Sequence, residues 1–286
     1  AGATSGRISV DTENGTVTST APLAVAPDFR LRNPVGAYAF FDGIAFGNGV
    51  HVAVGFPGQI LSSTDGADWT VRYDSRPNVT GLRAVTFANG LFVAVGDSGV
   101  ILTSPDGTVW TRRYTSSFAS LQGVAPGNGK FVAVSANSSG AVVTSTDGAT
   151  WTSGATGGPV SANGLAFGGG TFVAVGAGGA VATSTDGLAW SSVTSPTANT
   201  LNEVTHVNGL FFALGNNGTI LTSSTGASST WTVATVPAPF NTATLYAAAT
   251  DGARFVVAGF GTVLTSVDTV TWSGRGDNAL DVRSLL

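Results

Sequence analysis

The stretch that decides the fold runs Leu82-Arg-Ala-Val-Thr-Phe-Ala-Asn-Gly90, Phe92-Val-Ala-Val-Gly96, Val100-Ile-Leu-Thr-Ser104 and Pro105-Asp-Gly-Thr-Val-Trp110. β-branched and aromatic residues fill the first three runs, and Gly, Asn, Asp and Ser stand between them, as expected of short strands joined by tight turns. The pattern recurs along the chain. Trp69, Trp110, Trp151, Trp190, Trp231 and Trp272 are 41, 41, 39, 41 and 41 residues apart. A four-stranded unit of about 40 residues, repeated without helical spacers, predicts a β-propeller blade.

Six complete copies run from about Phe41 to Gly274. In the tail, Ala279-Leu-Asp-Val-Arg-Ser-Leu285 reads like an innermost strand. Near the start, Arg7-Ile-Ser-Val10 and Gly15-Thr-Val-Thr-Ser19 read like second and third strands. An open ring leaves strand rows and blade faces uncovered. The expectation is therefore an all-β, seven-bladed β-propeller of four-stranded antiparallel blades, the last shared by the two termini; the alternative is six blades plus an N-terminal arm. The matching division is 1–36 for the arm and part of the closing blade, 37–274 for six blades, and 275–286 for the closing strand.

Composition narrows the chemistry. The 286 residues include no Cys, two His and 10% charged side chains, with a net charge of −4. Thiol chemistry and disulfides are excluded, and neither a metal centre nor a cofactor is expected. Scattered basic residues argue against nucleic acid. No apolar run approaches the ~20 residues of a membrane helix, so membrane insertion is not expected. The chain begins at Ala1 with no signal-peptide pattern, which fits a cleaved signal or a removed initiator Met.

The turn before each tryptophan carries a motif: Ser63-Thr-Asp65-Gly66-Ala-Asp-Trp69, Ser104-Pro-Asp106-Gly107-Thr-Val-Trp110, Ser145-Thr-Asp147-Gly148-Ala-Thr-Trp151 and Ser184-Thr-Asp186-Gly187-Leu-Ala-Trp190. It resembles the Asp-box of the bacterial-neuraminidase-repeat propellers, with Gly directly after Asp as in propellers similar to the photosystem II assembly factor family. The resemblance covers nearly the whole chain and implies a fold more than a function. In the motif Asp accepts N–H groups of its own turn and Gly supplies a positive φ. Thr225 replaces Asp before Trp231, and Thr269 replaces Gly after Asp268 before Trp272; these two turns are expected to be looser.

The Asp-box family includes sialidases, whose sites use an arginine triad, a tyrosine nucleophile backed by Glu, and an acid. Here the only Glu are Glu13 and Glu203, and Tyr38, Tyr73, Tyr114 and Tyr246 have none nearby in sequence. Among the innermost strands, only Arg83, Glu203 and His206 are expected to bring ionisable groups to the channel. An enzyme, whether sialidase-like or another glycoside hydrolase, is therefore not expected. Arg275-Gly276-Asp277 is read as an ordinary loop after an outer strand. The sequons at Asn14, Asn78, Asn137 and Asn217 matter only in a glycosylating host.

Binding is expected on the face carrying the second-to-third strand turns and the blade connections, opposite the Asp-containing turns. The candidate contacts are Tyr73, Arg76, Asp97, Arg113, Tyr114, Asn216 and Phe240, since aromatic and Arg side chains on loops make contact anchors. The function expected is a non-enzymatic structural, adhesion or decoration module. Its expected place is extracellular, at a cell surface or on a virion, bound to other surface proteins or glycans, alone or as a homo-oligomer in a larger assembly. Other readings are a lectin-like glycan binder and, from blade similarity, a photosystem II assembly factor-like protein.

Overall fold

The computed structural model of the chain describes residues 9–12, 15–18, 40–76, 78, 80–114, 120–136, 140–153, 161–281 and 283. They form six antiparallel sheets arranged as the blades of a β-propeller, and one separate hairpin. In the first blade Phe40–Gly47, Val50–Phe56, Gln59–Ser63 and Thr70–Asp74 pair in sequence order from the channel outward. The inner strands of the next five are Leu82–Ala88, Leu121–Gly127, Ala162–Gly168, Leu201–Val207 and Leu245–Thr250.

Blades two to five repeat the four-stranded order. The sixth is three-stranded because Phe255–Ser266 runs as one long strand. Its first half pairs with the inner strand and its second half with Ser273–Asp281, so it serves as both middle strands.

The seven-bladed expectation is therefore wrong; the ring has six blades. The tail resembles an inner strand in residue pattern, yet the chain from Ser273 to Asp281 stays on the sixth blade, where Asp281 opposes Phe260 across a register irregularity beside Gly261. Four residues, 277–280, there stand opposite the single Gly261, which has φ +62°. Ser9–Thr12 and Gly15–Thr18 pair only with each other. Arg275-Gly276-Asp277, read as loop, lies within the Ser273–Asp281 strand. The rest of the expected N-terminal arm lies outside the described residues.

Cohesion comes from strands buried on both faces. Successive side chains of a strand point to opposite sides. Phe92 and Ala94 accordingly join Val52, Val54 and Ile60 in a core between blades one and two, whereas Val93 and Val95 join Leu121, Phe131 and Val143 between blades two and three. Three more cores join blades three to four, four to five and five to six. Each large apolar side chain contributes about 1.5–3 kcal/mol when fully buried.

Tight turns fix the hairpins. Asn48-Gly49, with φ +50° and +76°, needs two left-handed residues, the conformation that joins strands with the twist of a sheet. Asn48 also donates to the Pro105 carbonyl (3.1 Å), and Asn128 to the Thr185 carbonyl (2.7 Å), tying each turn to the next blade.

On that same face each tryptophan is pinned by its turn. In the third blade Ala149 and Thr150 donate N–H bonds to Asp147 Oδ1 (both 2.8 Å), Gly148 donates to Ser145 Oγ (2.8 Å), and the Trp151 indole donates to the Gly148 carbonyl (3.0 Å). The altered turn at Thr269 keeps its bonding, whereas the one at Thr225 keeps the tryptophan bond but only one of the two turn bonds. Thr269 adopts φ +65° itself and its carbonyl still receives the Trp272 indole (3.1 Å), while the Gly226 carbonyl receives that of Trp231 (2.9 Å). Thr225 Oγ1 stands in for the missing carboxylate by accepting from Ala227 (3.3 Å).

Trp151, 7% exposed, sits in the core between blades two and three. Trp151→Ala is expected to cost about 3–5 kcal/mol, checked by urea denaturation followed by far-UV circular dichroism. The turn carboxylates set an acid limit. The N–H groups of Asp68 and Ala67 and the Ser63 hydroxyl hold Asp65 down at about 2, and the same kinds of donor lower Asp147 and Asp186. A lowered folded pKa contributes stability above the ordinary carboxylate range that disappears as pH falls through the folded value. The denaturation midpoint is expected to fall steeply from about pH 4 toward about pH 2.

Candidate functional site

The six inner strands enclose a central channel with a cavity of about 380 Å³. Small residues such as Gly43, Ala84, Gly123 and Ala247 border it, and Asp42, Arg83, Thr86, Glu203, Thr205 and Tyr246 bring polar groups to its wall. Asp42, Arg83, Gln122, Asn163, Asn202 and Tyr246 stand at equivalent positions of the inner strands, where the register shifts near one mouth. Several bond sideways into the neighbouring blade. Asn163 donates to the Leu201 carbonyl (2.9 Å) and Asn202 to the Leu245 carbonyl (3.2 Å).

The charged part of this mouth is a chain of alternating signs. Arg83 donates from Nε to Asp97 Oδ1 (3.0 Å) and from Nη2 to Asp97 Oδ2 (3.1 Å), and its Nη1 lies 3.5 Å from Asp42 Oδ2. Arg283 donates from Nη1 to Asp42 Oδ1 (3.2 Å), with its guanidinium carbon 5.5 Å from the centre of the Tyr246 ring. Arg283 thus connects the first blade to the sixth. On the sides of the first and sixth blades away from their named cores, Ala53, Leu61 and Ala258 are buried as well.

Glu203 lies deeper. Its only hydrogen bond among the described residues is from the Val204 N–H to Oε1 (3.1 Å). Partial desolvation pushes its pKa up to about 8, opposed by that bond. His206 stacks edge-on against Phe211 at 4.7 Å and covers Gly168, where a Cβ would come within 2.2 Å of the imidazole. Its ring is used for packing between blades. The expectation of three ionisable groups along the channel undercounts, because Asp42, Tyr246 and Arg283 line it too.

The expected contact residues do not form one cluster. Asp97 and Asn216 lie at the channel mouth, engaged by Arg83 and by Asn202 (3.0 Å) respectively. Tyr73 is half-buried against the core between blades one and two, and lines a side cavity of about 150 Å³ with Arg112. Arg76 is exposed and ion-paired to Asp74, whose carboxyl it holds well below the usual range. Arg113 bonds Thr103 Oγ1 (2.8 Å). Phe240 packs on the core of blades five and six, so it is a structural residue. The side chain of Tyr114 lies outside what the structure describes.

Sequence reading missed three exposed phenylalanines. Phe40 pairs with Phe56, two residues before Asp42 on the first inner strand. Phe260 donates its N–H to the Thr244 carbonyl (3.0 Å), two residues before Tyr246. The three are 59%, 43% and 61% exposed. At Phe40's position other blades carry Gly81, Ser161, Thr200 and Thr244; at Phe56's, they carry Asp97, Ala177 and Asn216. The repeat breaks toward aromatic residues only beside the junction that Arg283 spans. That break was the available signal.

No family model matches the chain, and no curated protein sequence matches it. Solved structures do. YCF48 bound to D1 peptide is similar with a TM-score of 0.66 and 20% identity, over 82% of this chain and 80% of that one. YCF48 from Cyanidioschyzon merolae is similar with a TM-score of 0.66 and 18% identity, over 87% and 88%. The computationally designed Ika8 protein gives 0.57 and 13%, over 88% and 91%. At these identities the likeness establishes a β-propeller fold.

A raised carboxyl pKa lowers stability as pH climbs from the unfolded value to the folded one, because folding must take up a proton in that window. Between about pH 4.5 and pH 8 the protein is expected to lose stability relative to Glu203→Gln. Glu203 is half-buried and therefore partly screened by solvent, so the difference at pH 8 should be on the order of 1–3 kcal/mol. Urea titrations of both proteins at the two pH values check it.

Proposed function

We propose that the chain is a non-enzymatic binding module that receives a polypeptide on the face carrying Phe40, Phe56 and Phe260. The observation that carries this reading is the local break in the repeat. Blades two to five place small or polar residues where these aromatics stand, and exposed aromatics grouped beside an arginine suit a protein contact better than a solvated loop. The charges between them already cancel in pairs, which favours an apolar, weakly charged partner surface. A binding role, not a catalytic one, is supported by the way both channel arginines are engaged by Asp42 and Asp97, with Glu203 set apart from them.

The place of action proposed is outside a cytoplasm, as a structural, adhesion or decoration module at a cell surface or on a virion. Its support is compositional: no Cys, no Met, one lysine at Lys130, and a surface rich in Ser, Thr and Gly. A second reading, a role like that of the photosystem II assembly factor family, is favoured by the two YCF48 structures among the neighbours, one of them bound to D1 peptide. Both readings use a polypeptide partner.

A photo-crosslinking amino acid at position 56 is expected to trap one polypeptide in the native source, and the same group at position 89 on the opposite face is expected to trap none. With the trapped partner, Phe56→Ser combined with Phe260→Ser should weaken binding roughly 30-fold or more, as loss of an aromatic anchor does. Crosslinking from position 89 alone, or unchanged affinity in the double variant, overturns the proposed face. Recovery with cell envelope or virions supports the first place of action; recovery with photosynthetic membranes supports the second.

A further inference from the structure

The outer strands carry a second local break in the repeat. At the position of Arg112, opposite Leu102, the other blades place Val71, Ser153, Ser192, Val233 and Gly274. Leu102 belongs to the core between blades one and two, so Arg112 stands on the side of blade two that faces blade one. Arg72 faces the same crevice from blade one. Its Nε donates to Ser62 Oγ (2.8 Å), and Ser62 lies two residues beyond Ile60, on the side of its strand toward blade two. Ser62 is 2% exposed, so a buried hydroxyl holds the Arg72 guanidinium in place and leaves both of its Nη groups free. Among the described residues neither arginine has an acidic partner.

We propose that this crevice binds an acidic polysaccharide, one whose sugars carry carboxylate or sulfate groups, with Arg72 and Arg112 receiving the anions. The side cavity of about 150 Å³ opens between the two outer strands, lined by Tyr73, Ser75, Asn78, Thr80 and Arg112. It is smaller than the roughly 300–1,000 Å³ of a site that encloses a whole ligand, so it suits one acidic sugar of a chain that otherwise runs over the rim. Among the described residues the side chains of Arg112, Tyr73 and Asn78 make no hydrogen bond. That leaves a guanidinium fork for the oxyanion, and a phenol and an amide for sugar hydroxyls.

The one carboxylate in this cavity is already neutralised. Asp74 Oδ1 and Oδ2 both accept from Arg76 Nε (3.0 and 2.9 Å), and Oδ2 also accepts from Gln59 (3.0 Å). A nucleic acid duplex, with a charge for about every 1.7 Å of its axis, calls for a longer basic stripe than two arginines in a chain of net charge −4. Sparser charge separated by hydroxyl-rich sugars matches the crevice better. The site shares no residue with the aromatic face.

The test is calorimetric titration of the intact protein with a galacturonate hexamer and with a heparin hexasaccharide, at about 0.05 M and about 0.5 M NaCl. Maltohexaose is the neutral control, and poly-glutamate and an oligo-dT strand represent other polyanions. The proposal expects at least one acidic oligosaccharide to bind with a Kd of about 1 mM or tighter at low salt and to weaken about tenfold or more at high salt. Binding should fall about tenfold or more in Arg72→Gln and in Arg112→Gln. Arg254→Gln, which removes an exposed arginine on a turn of the sixth blade, should leave it unchanged. No binding of either acidic oligosaccharide, equal binding of maltohexaose, tighter binding of poly-glutamate or oligo-dT, or an equal loss in R254Q overturns it. Near-UV circular dichroism verifies the fold of each variant, and the wild-type ligand and salt profile decides independently if one does not fold.

Discussion

The ring depends on strands whose two faces are both buried. In an ordinary half-exposed sheet, alternate residues meet water. Here Phe92 and Ala94 serve one junction while Val93 and Val95 serve the next, and the pattern repeats at Phe131–Val134, Phe172–Val175 and Phe211–Leu214. No blade can therefore be stable alone, because each exposes two apolar faces when its neighbours are removed. The tight Asn-Gly turns, the pinned tryptophans and the sideways bonds of Asn163 and Asn202 all act on blades whose spacing these two-faced strands have already set.

Much of the architecture was legible in the residues. The tryptophan spacing marks one copy per blade, and the Ser-x-Asp-Gly pattern marks the turns whose bonds are observed. The blade count was not legible. A short strand such as Ala279 to Leu285 looks the same whether it begins a blade or continues one. What differs is the pairing: residues 277–280 stand opposite the single Gly261, so that Asp281 still opposes Phe260, and one long strand, Phe255–Ser266, merges two strands into one. Neither feature alters the apolar pattern from which the repeats are read.

The channel mouth was legible only in fragments. Arg83 and Glu203 are visible because they stand on recognisable inner strands. Asp42 and Tyr246 occupy equivalent positions, but what gives them meaning is Arg283, which reaches Asp42 from 241 residues away. Charge pairs between distant segments leave no local signature. Phe240 failed for the opposite reason. It lies in a proline-flanked connection that reads as exposed, yet its ring packs on the core beneath.

The Arg283 link has a consequence for how the ring answers its surroundings. The Arg83–Asp97, Arg83–Asp42 and Arg283–Asp42 pairs are partly exposed, so their attraction fades as the Debye length shrinks from about 10 Å at 0.1 M to about 3 Å at 1 M. Apolar burial between blades strengthens in kosmotropic salts. Concentrated salt therefore loosens this clasp of charges at the channel mouth while it tightens the cores around it.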